Sequence, residues 1–254
     1  MTLMMCDGLH KRFGALSALA DVSLSIDRRE VVAIVGESGS GKSTLLNIMS
    51  GRMMPDSGSV LYDHGSGLTS IASESESALM ALQRQHWSFV DQEPRRALRL
   101  NVTAGGNIGE RLMVIGARHY GAIRAAAAQW LERVEIDPSR IDDLARTFSG
   151  GMLQRLQIAA ALVTEPSLVF MDEPTSGLDV SAQARILDLI QRLVRRIGVA
   201  VVLVTHDIGV ARLLADRVVV MYRGRIVESG LTDQVLDDPH HPYTQLLISS
   251  VLPT

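Results

Sequence analysis

The chain has 254 residues, 46% of them hydrophobic and 21% charged, with a formal net charge of −3. That length and balance suit one large domain or two small ones, and they speak against a general nucleic-acid binder or a polybasic membrane anchor. Cys6 is the single cysteine, which excludes a disulfide framework and a cysteine-built metal centre.

Charged Asp7, His10, Lys11 and Arg12 come too early for a secretory signal. No apolar run reaches the length of a membrane span. The expectation is a soluble, cytoplasmic chain with no direct membrane insertion and no nucleic-acid partner. Residues 3–35 read as short strands, with Val22, Leu24 and Ile26 alternating against Ser23, Ser25 and Asp27. Arg28 and Arg29 turn the chain into the apolar run 31–35. Phe13 is an isolated aromatic in a polar setting, and it reads either as a core side chain or as a flat face for a nucleobase.

Residues 36–43, GESGSGKS, fit Gly-x-x-x-x-Gly-Lys-(Ser/Thr) between an expected strand and a helix start. Glycines let backbone N–H groups converge on phosphate oxygens, and the new helix points its positive end at the same anion. Gly36, Glu37, Ser38, Gly39, Ser40, Gly41, Lys42 and Ser43 are therefore the candidate phosphate-binding residues. Lys42 supplies a point charge, and the Ser43 hydroxyl suits a magnesium ligand.

A strand is expected at 59–62, a loop at 64–77, a helix at 78–85 and a strand at 87–90. That strand runs into Asp91, Gln92, Glu93 and Pro94, where proline ends regular structure. From 95 to 164 helical periods take over, at 102–114, 121–134 and 151–163, which read as an all-helical insertion in an α/β core. Residues 104–124, AGGNIGERLMVIGARHYGAIR, carry five glycines and four Arg or His side chains. Interior glycine costs about 1 kcal/mol against alanine, so the stretch reads as a surface helix with a glycine hinge or as a surface shaped for a partner, with Arg111 and Arg118 as candidate contacts.

Ser149, Gly150 and Gly151 open the next helix, either as an ordinary N-cap or as a second anion site capping a γ-phosphate held by another subunit. Asp172 and Glu173 follow an apolar strand at 167–171. Their carboxylates would emerge at the sheet edge where ligands bind, Asp172 towards magnesium and Glu173 as general base for an attacking water. An amphipathic helix spans 181–197. His206 follows the buried strand at 199–204, within reach of a γ-phosphate. A hairpin is expected at 217–228 with Arg223-Gly224 at its turn, then short helices broken at Asp238-Pro239 and His241-Pro242. The alternation argues a mainly parallel sheet.

Taken in order, the phosphate loop, Gln92, SGGM at 149–152, VFMDEPTSGLD at 169–179 and His206 resemble the ABC-type ATPases along nearly the whole chain. The resemblance implies an α/β P-loop NTPase fold with a mixed sheet core, an antiparallel β subdomain and an inserted helical subdomain. It implies one domain over 1–254, with its core at 1–94 and 165–254 and the helical signature subdomain at 95–164. It further implies ATP and Mg2+ as cofactors, Phe13 on the adenine, and Gly36 to Ser43 together with Thr44 on the phosphates. Ser43, Gln92 and Asp172 would attend the metal, with Glu173 as base and His206 as switch histidine. Ser149, Gly150, Gly151 and Asp179 would complete the site in trans, in a head-to-tail homodimer or a dimer with a related ABC chain. Phe148, Met152, Arg29 and Ala160 depart from the residues commonest in the family, without touching the phosphate chemistry.

The segment 240–247, HHPYTQLL, and SGGM at 149–152 with Gln154-Arg155 are similar to oligopeptide and nickel importer ATPases. The stretches 104–124, 210–216 and 229–251 are more similar to the ATP-binding subunits of bacterial carbon–phosphorus lyase systems. That implies a soluble phosphonate-cleaving enzyme complex as partner, engaged through 104–124, with ATP-driven dimer closure coupled to phosphonate breakdown. The alternatives are the motor of an importer and a non-hydrolysing ATP-dependent clamp; Glu173 and His206 argue against the clamp.

Overall fold

The computed structural model describes residues 1–65 and 67–250. In chain order the elements are β1 (Thr2–Phe13), β2 (Leu16–Asp27), β3 (Val31–Val35), α1 (Lys42–Met49), β4 (Ser57–Asp63), β5 (Leu68–Ser70), α2 (Glu76–His86), β6 (Trp87–Val90), α3 (Pro94–Ala97) and α4 (Ala104–Val114). There follow α5 (Tyr120–Arg133), α6 (Gly150–Leu162), β7 (Leu168–Asp172), α7 (Val180–Ile197), β8 (Ala200–Thr205), α8 (Ile208–Leu214), β9 (Arg217–Tyr222), β10 (Arg225–Leu231), α9 (Thr232–Asp237) and α10 (Pro242–Ser249). They form two compact units, Met1–Ala81 with Ala200–Thr254, and Leu82–Val199.

In the first unit, β2, β1, β4 and β5 pair in that order as an antiparallel sheet. β2 alternates as its sequence demands, with Val22, Leu24 and Ile26 buried and Ser23, Ser25 and Asp27 exposed. β1 and β2 are 12-residue strands rather than the short ones expected. Register shifts at Cys6/Leu9 and Leu9/Lys11 break the alternation of β1 and hide its length. The expected loop at 64–77 contains β5 and a 3-10 turn at Ile71–Ser73.

β3 lies between β8 and β9, parallel to both, with Val35 opposite Thr205 and Val220. β10 returns antiparallel to β9, so this sheet is mixed. β3 and β8 are buried at every position, which is why they read as unbroken apolar runs. Arg29 takes a left-handed φ of 64° in the turn before β3. The Glu30 carboxylate secures that turn, accepting from Asp27 N–H at 2.7 Å and pairing with Arg217 at 2.7 Å.

In the second unit, β6 and β7 run parallel, Val90 opposite Met171, with Phe170 stacked on Phe89 and edge-on to Trp87. α7 buries Ile186, Leu187, Leu189, Ile190, Leu193 and Val194 on one face and ends at Gly198, whose φ is 72°. Pro94 opens the short α3 rather than ending regular structure, because a missing N–H costs nothing at the first helical position. The glycines of α4 are neither hinge nor accident. A Cβ on Gly105 would sit 2.5 Å from Ile141 Cγ1, and one on Gly109 would sit 2.7 Å from Ile123 Cγ2. They let α4 approach α5 and the 3-10 turn Pro138–Asp142 more closely than alanine permits.

Arg111 is not a free surface cation. Its guanidinium donates to Ser88 Oγ at 3.1 Å and Trp87 O at 3.4 Å, and burial lowers its pKa. Arg118 is exposed and donates to the carbonyls of Met113 (2.7 Å) and Ala117 (2.9 Å), closing the end of α4. Exposed Met113, Val114, Ile115 and Tyr120 surround that end.

Candidate functional site

The first unit carries the glycine-rich loop, which forms an open cradle at the end of β3. β3 is pinned on both sides, and the chain leaves it through Gly36, Gly39 and Gly41, all at positive φ. Two of these glycines are required by backbone approach: a Cβ would meet Met221 O at 2.2 Å from Gly36 and Ala18 O at 2.5 Å from Gly41. Ser38, Gly39 and Ser43 are exposed. The Lys42 ammonium turns back over the loop, donating to Gly36 O at 2.7 Å and Glu37 O at 2.8 Å. Ser40 Oγ is buried without a hydrogen-bond partner, an orphaned polar atom that an anionic oxygen would satisfy. Thr44 lies in the first turn of α1.

His206 sits one residue past Thr205, the partner of Val35 in the parallel ladder, so it leaves the sheet at the same edge as Gly36. It is exposed. Phe13 ends β1 at the hairpin turn, 48% exposed, with Lys11 Nζ 5.9 Å from its ring centroid. It is not a core side chain.

The second unit gathers the carboxylates and the signature residues. Because β6 and β7 are parallel and in register, Gln92 leaves the sheet beside Asp172 and Glu173. Gln92 Nε2 donates to Ser176 Oγ at 3.1 Å, which leaves its carboxamide oxygen for another partner. The Gln157 amide of α6 pairs with both backbone groups of Asp91, its oxygen 2.7 Å from the N–H and its nitrogen 3.2 Å from the carbonyl, and so holds the chain one residue before Gln92. Glu173 occupies the left-handed region at φ 48°, directly before Pro174. A non-glycine residue there costs on the order of 1–2 kcal/mol.

Ser149 caps α6, accepting from Met152 N–H at 3.4 Å, while Gly150 and Gly151 have open space where a Cβ would stand. Asp179 caps α7, accepting from Ala182 N–H and Ser181 Oγ, both at 2.9 Å. Those bonds hold its carboxyl below the usual aspartate range. Ser149, Gly150, Gly151 and Asp179 line one open cavity of about 480 Å³, with Arg155 and Arg185 in its wall. Glu135, at the end of the turn after α5, pairs with Arg155 of α6 at 2.9 Å and Arg192 of α7 at 2.7 Å. Sequence reasoning gave no site role to Arg155, Arg185 or Glu135, since their positions depend on how two distant helices cross.

Met113, Tyr120, Ile123 and Ile141 line an apolar slot of about 150 Å³ beside the exposed end of α4, closed on one side by the Arg124–Asp142 ion pair at 2.6 Å. Glycines 105, 106 and 109 form its floor.

Chemically, the cradle suits phosphate oxygens. In the first unit Ser43 offers a hydroxyl oxygen, and in the second Gln92 and Asp172 offer amide and carboxylate oxygens, each a donor type that small hard cations take. No helix among the described residues is long and apolar enough to cross a membrane.

A family model described as ABC transporter matches residues 19–176, and one described as oligopeptide/dipeptide transporter, C-terminal region, matches 227–254. The chain is 59% identical over 250 residues to the putative phosphonates utilization ATP-binding protein PhnK of Escherichia coli (strain K12), covering 98% of each. It is 43% identical over 248 residues to a putative peptide import ATP-binding protein of Brucella melitensis, covering 92% of this chain and 72% of that one. Among solved structures, cbiO1 of Clostridium perfringens, part of the ABC transporter complex cbiONQ, superposes with a TM-score of 0.83 at 29% identity, covering 93% of this chain and 91% of that one. The dimeric ATP-binding cassette MJ0796 bound to ADP and Pi gives 0.80 at 30% identity, covering 91% and 99%.

Proposed function

The chain belongs to the ABC transporter ATPase family, and from that premise we propose that it is the ATP-hydrolysing subunit of a carbon–phosphorus lyase assembly that breaks down phosphonates. The observation that carries this reading is the 59% identity to the phosphonate-utilization protein over 98% of both chains, against 43% to a peptide-import protein that is covered only to 72%.

In this reading Phe13 stacks on adenine and Gly36 to Thr44 hold the phosphates. Ser43, Gln92 and Asp172 hold magnesium, which when bound offsets the phosphate charge. Glu173 accepts the proton of the attacking water, and His206 contacts the γ-phosphate. Ser149, Gly150, Gly151 and Asp179 serve the nucleotide of a second cassette in a head-to-tail dimer, identical or related. The described dimer of MJ0796 with ADP and Pi supports that arrangement. The open glycines at the start of α6 and the cavity they share with Asp179 are consistent with an anion brought from outside.

The end of α4 is the proposed docking surface for a cytoplasmic, phosphonate-cleaving enzyme complex. Its apolar slot and its exposed Met113, Val114, Ile115 and Tyr120 supply contact area, and Arg118 supplies charge. A second reading, the motor of a peptide importer, draws on the match of 227–254 to the oligopeptide/dipeptide transporter C-terminal region. Affinity capture of the tagged chain from phosphate-starved cells separates the two. Recovery of soluble phosphonate-cleaving subunits supports the lyase reading, and recovery of a membrane permease refutes it.

A further inference from the structure

The C-terminal part of the first unit reaches the phosphate loop at several points. Gly224, in the β9–β10 turn, donates its N–H to Ser40 O at 2.9 Å. Tyr243, in the first turn of α10, accepts the N–H of Glu37 on its phenolic oxygen at 3.0 Å. Its buried ring stacks on Tyr222 at the end of β9, with centroids 4.1 Å apart and planes at 27°. The approach of α10 is set by Glu228, whose carboxylate accepts from His240 N–H at 2.8 Å and His241 N–H at 3.0 Å. His241 Nδ1 in turn accepts Tyr243 N–H at 3.1 Å. The His-Pro-Tyr segment thus has a structural task that nucleotide chemistry alone does not ask of it.

The N–H of Glu37 and the carbonyl of Gly36 belong to one peptide unit. In a trans peptide these two groups point in opposite directions. The carbonyl end accepts the Lys42 ammonium at 2.7 Å, and the N–H end meets Tyr243 at 3.0 Å. The peptide dipole is therefore aligned between a cation and a phenolic oxygen, an arrangement in which each hydrogen bond polarises the other. We propose that Tyr243 is a positioning residue for the nucleotide: its hydroxyl orients the Gly36–Glu37 peptide, that peptide places the Lys42 ammonium, and the C-terminal tail thereby sets the phosphate affinity of the loop. Burial holds the phenol above the ordinary tyrosine range, so the oxygen stays a neutral acceptor at physiological pH. The inference rests on the reading of residues 36–44 as the phosphate-binding loop.

Tyr243→Phe keeps the ring on Tyr222 and removes only the acceptor. The test uses the full-length chain, a fluorescent ATP analogue for Kd, steady-state ATPase kinetics, and melting without nucleotide. Loss of one such hydrogen bond predicts a Kd and a KM raised about five-fold, with kcat changed less than about two-fold. In a Lys42→Ala background, Tyr243→Phe should have no further effect on Kd. An unchanged Kd in Tyr243→Phe, with or without a lower melting temperature, would overturn the inference, because the contact would then serve only to dock the tail. A five-fold effect that persists in the Lys42→Ala background would overturn it too, since the path through the lysine would be wrong. Failure of the unsubstituted chain to bind the analogue would instead bring down the phosphate-loop reading, and this inference with it.

Discussion

Gly36→Ala asks whether the first glycine of the loop serves the path of the backbone or the ligand. A Cβ there would stand 2.2 Å from Met221 O and 3.0 Å from Ser40 Oγ, at a φ of +146°. The backbone cannot retreat, because Val35 just before it is paired with Val220 just before Met221. That φ costs a residue with a side chain on the order of 1–3 kcal/mol, and overpacking against backbone adds about 1–3 kcal/mol. At a combined cost of about 4 kcal/mol, a chain of this size melts about 8–16 °C lower. Gly39 is the control. Its φ is +79° and nothing lies within 4 Å of the added atom, so strain is the only cost. Gly39→Ala should melt about 2–8 °C lower, yet its methyl enters the open cradle, so nucleotide affinity should fall. Circular-dichroism melting without nucleotide and titration with a fluorescent ATP analogue read both effects. If Gly36→Ala melts within about 2 °C of the unsubstituted chain, the packing argument is wrong. If Gly39→Ala binds nucleotide normally, the loop has been given the wrong ligand.

Glu173→Gln should lower phosphate release by a factor of about 10²–10⁴ and leave the phosphate cradle whole, so an ATP-bound dimer should accumulate in size-exclusion chromatography; a monomer-only profile with ATP and magnesium would count against it. Glu228, although burial pushes its carboxyl up, is held below its ordinary value of 4.5 by the His240 and His241 N–H groups. Its stabilisation is therefore present above about pH 4.5 and lost as the pH falls through the lower folded value. Melting temperature followed against pH should lose part of this acid limb in Glu228→Gln. Arg111→Glu should lower the melting temperature, because it leaves Ser88 and Trp87 facing a buried carboxylate. Arg118→Glu should melt within a few degrees of the unsubstituted chain, keep basal ATPase, and weaken capture of the partner complex; normal capture would show that the end of α4 is not the docking surface.

The chemistry of the loop was legible because it is local: eight consecutive residues carry the glycines, the lysine and the hydroxyl. Asp172 and Glu173 were legible for a related reason, since an apolar strand announces its own end. Ser149 could be read as a cap, and it is one. What stayed hidden depends on contacts far apart in sequence. The Tyr243–Glu37 bond closes 206 residues, and only the His-Pro-Tyr string hinted that the tail had a task. The glycines of α4 announced a cost in helix propensity but not the reason, because Ile123 and Ile141 are placed by other elements. Arg111 looked like a surface charge since nothing local shows that β6 supplies its acceptors. The length of β1 was concealed by bulges, which shift the side-chain period at the point where alternation is sought.

Glu135 ties α6 to α7. Its one carboxylate grips Arg155 and Arg192, on the same two helices that Ser149 and Asp179 cap. Separating α6 from α7 therefore costs at least one of these two ion pairs. The grip is partly solvated and worth about 0.2–1 kcal/mol per pair. Salt therefore weakens this tie between the two helices long before it threatens the fold.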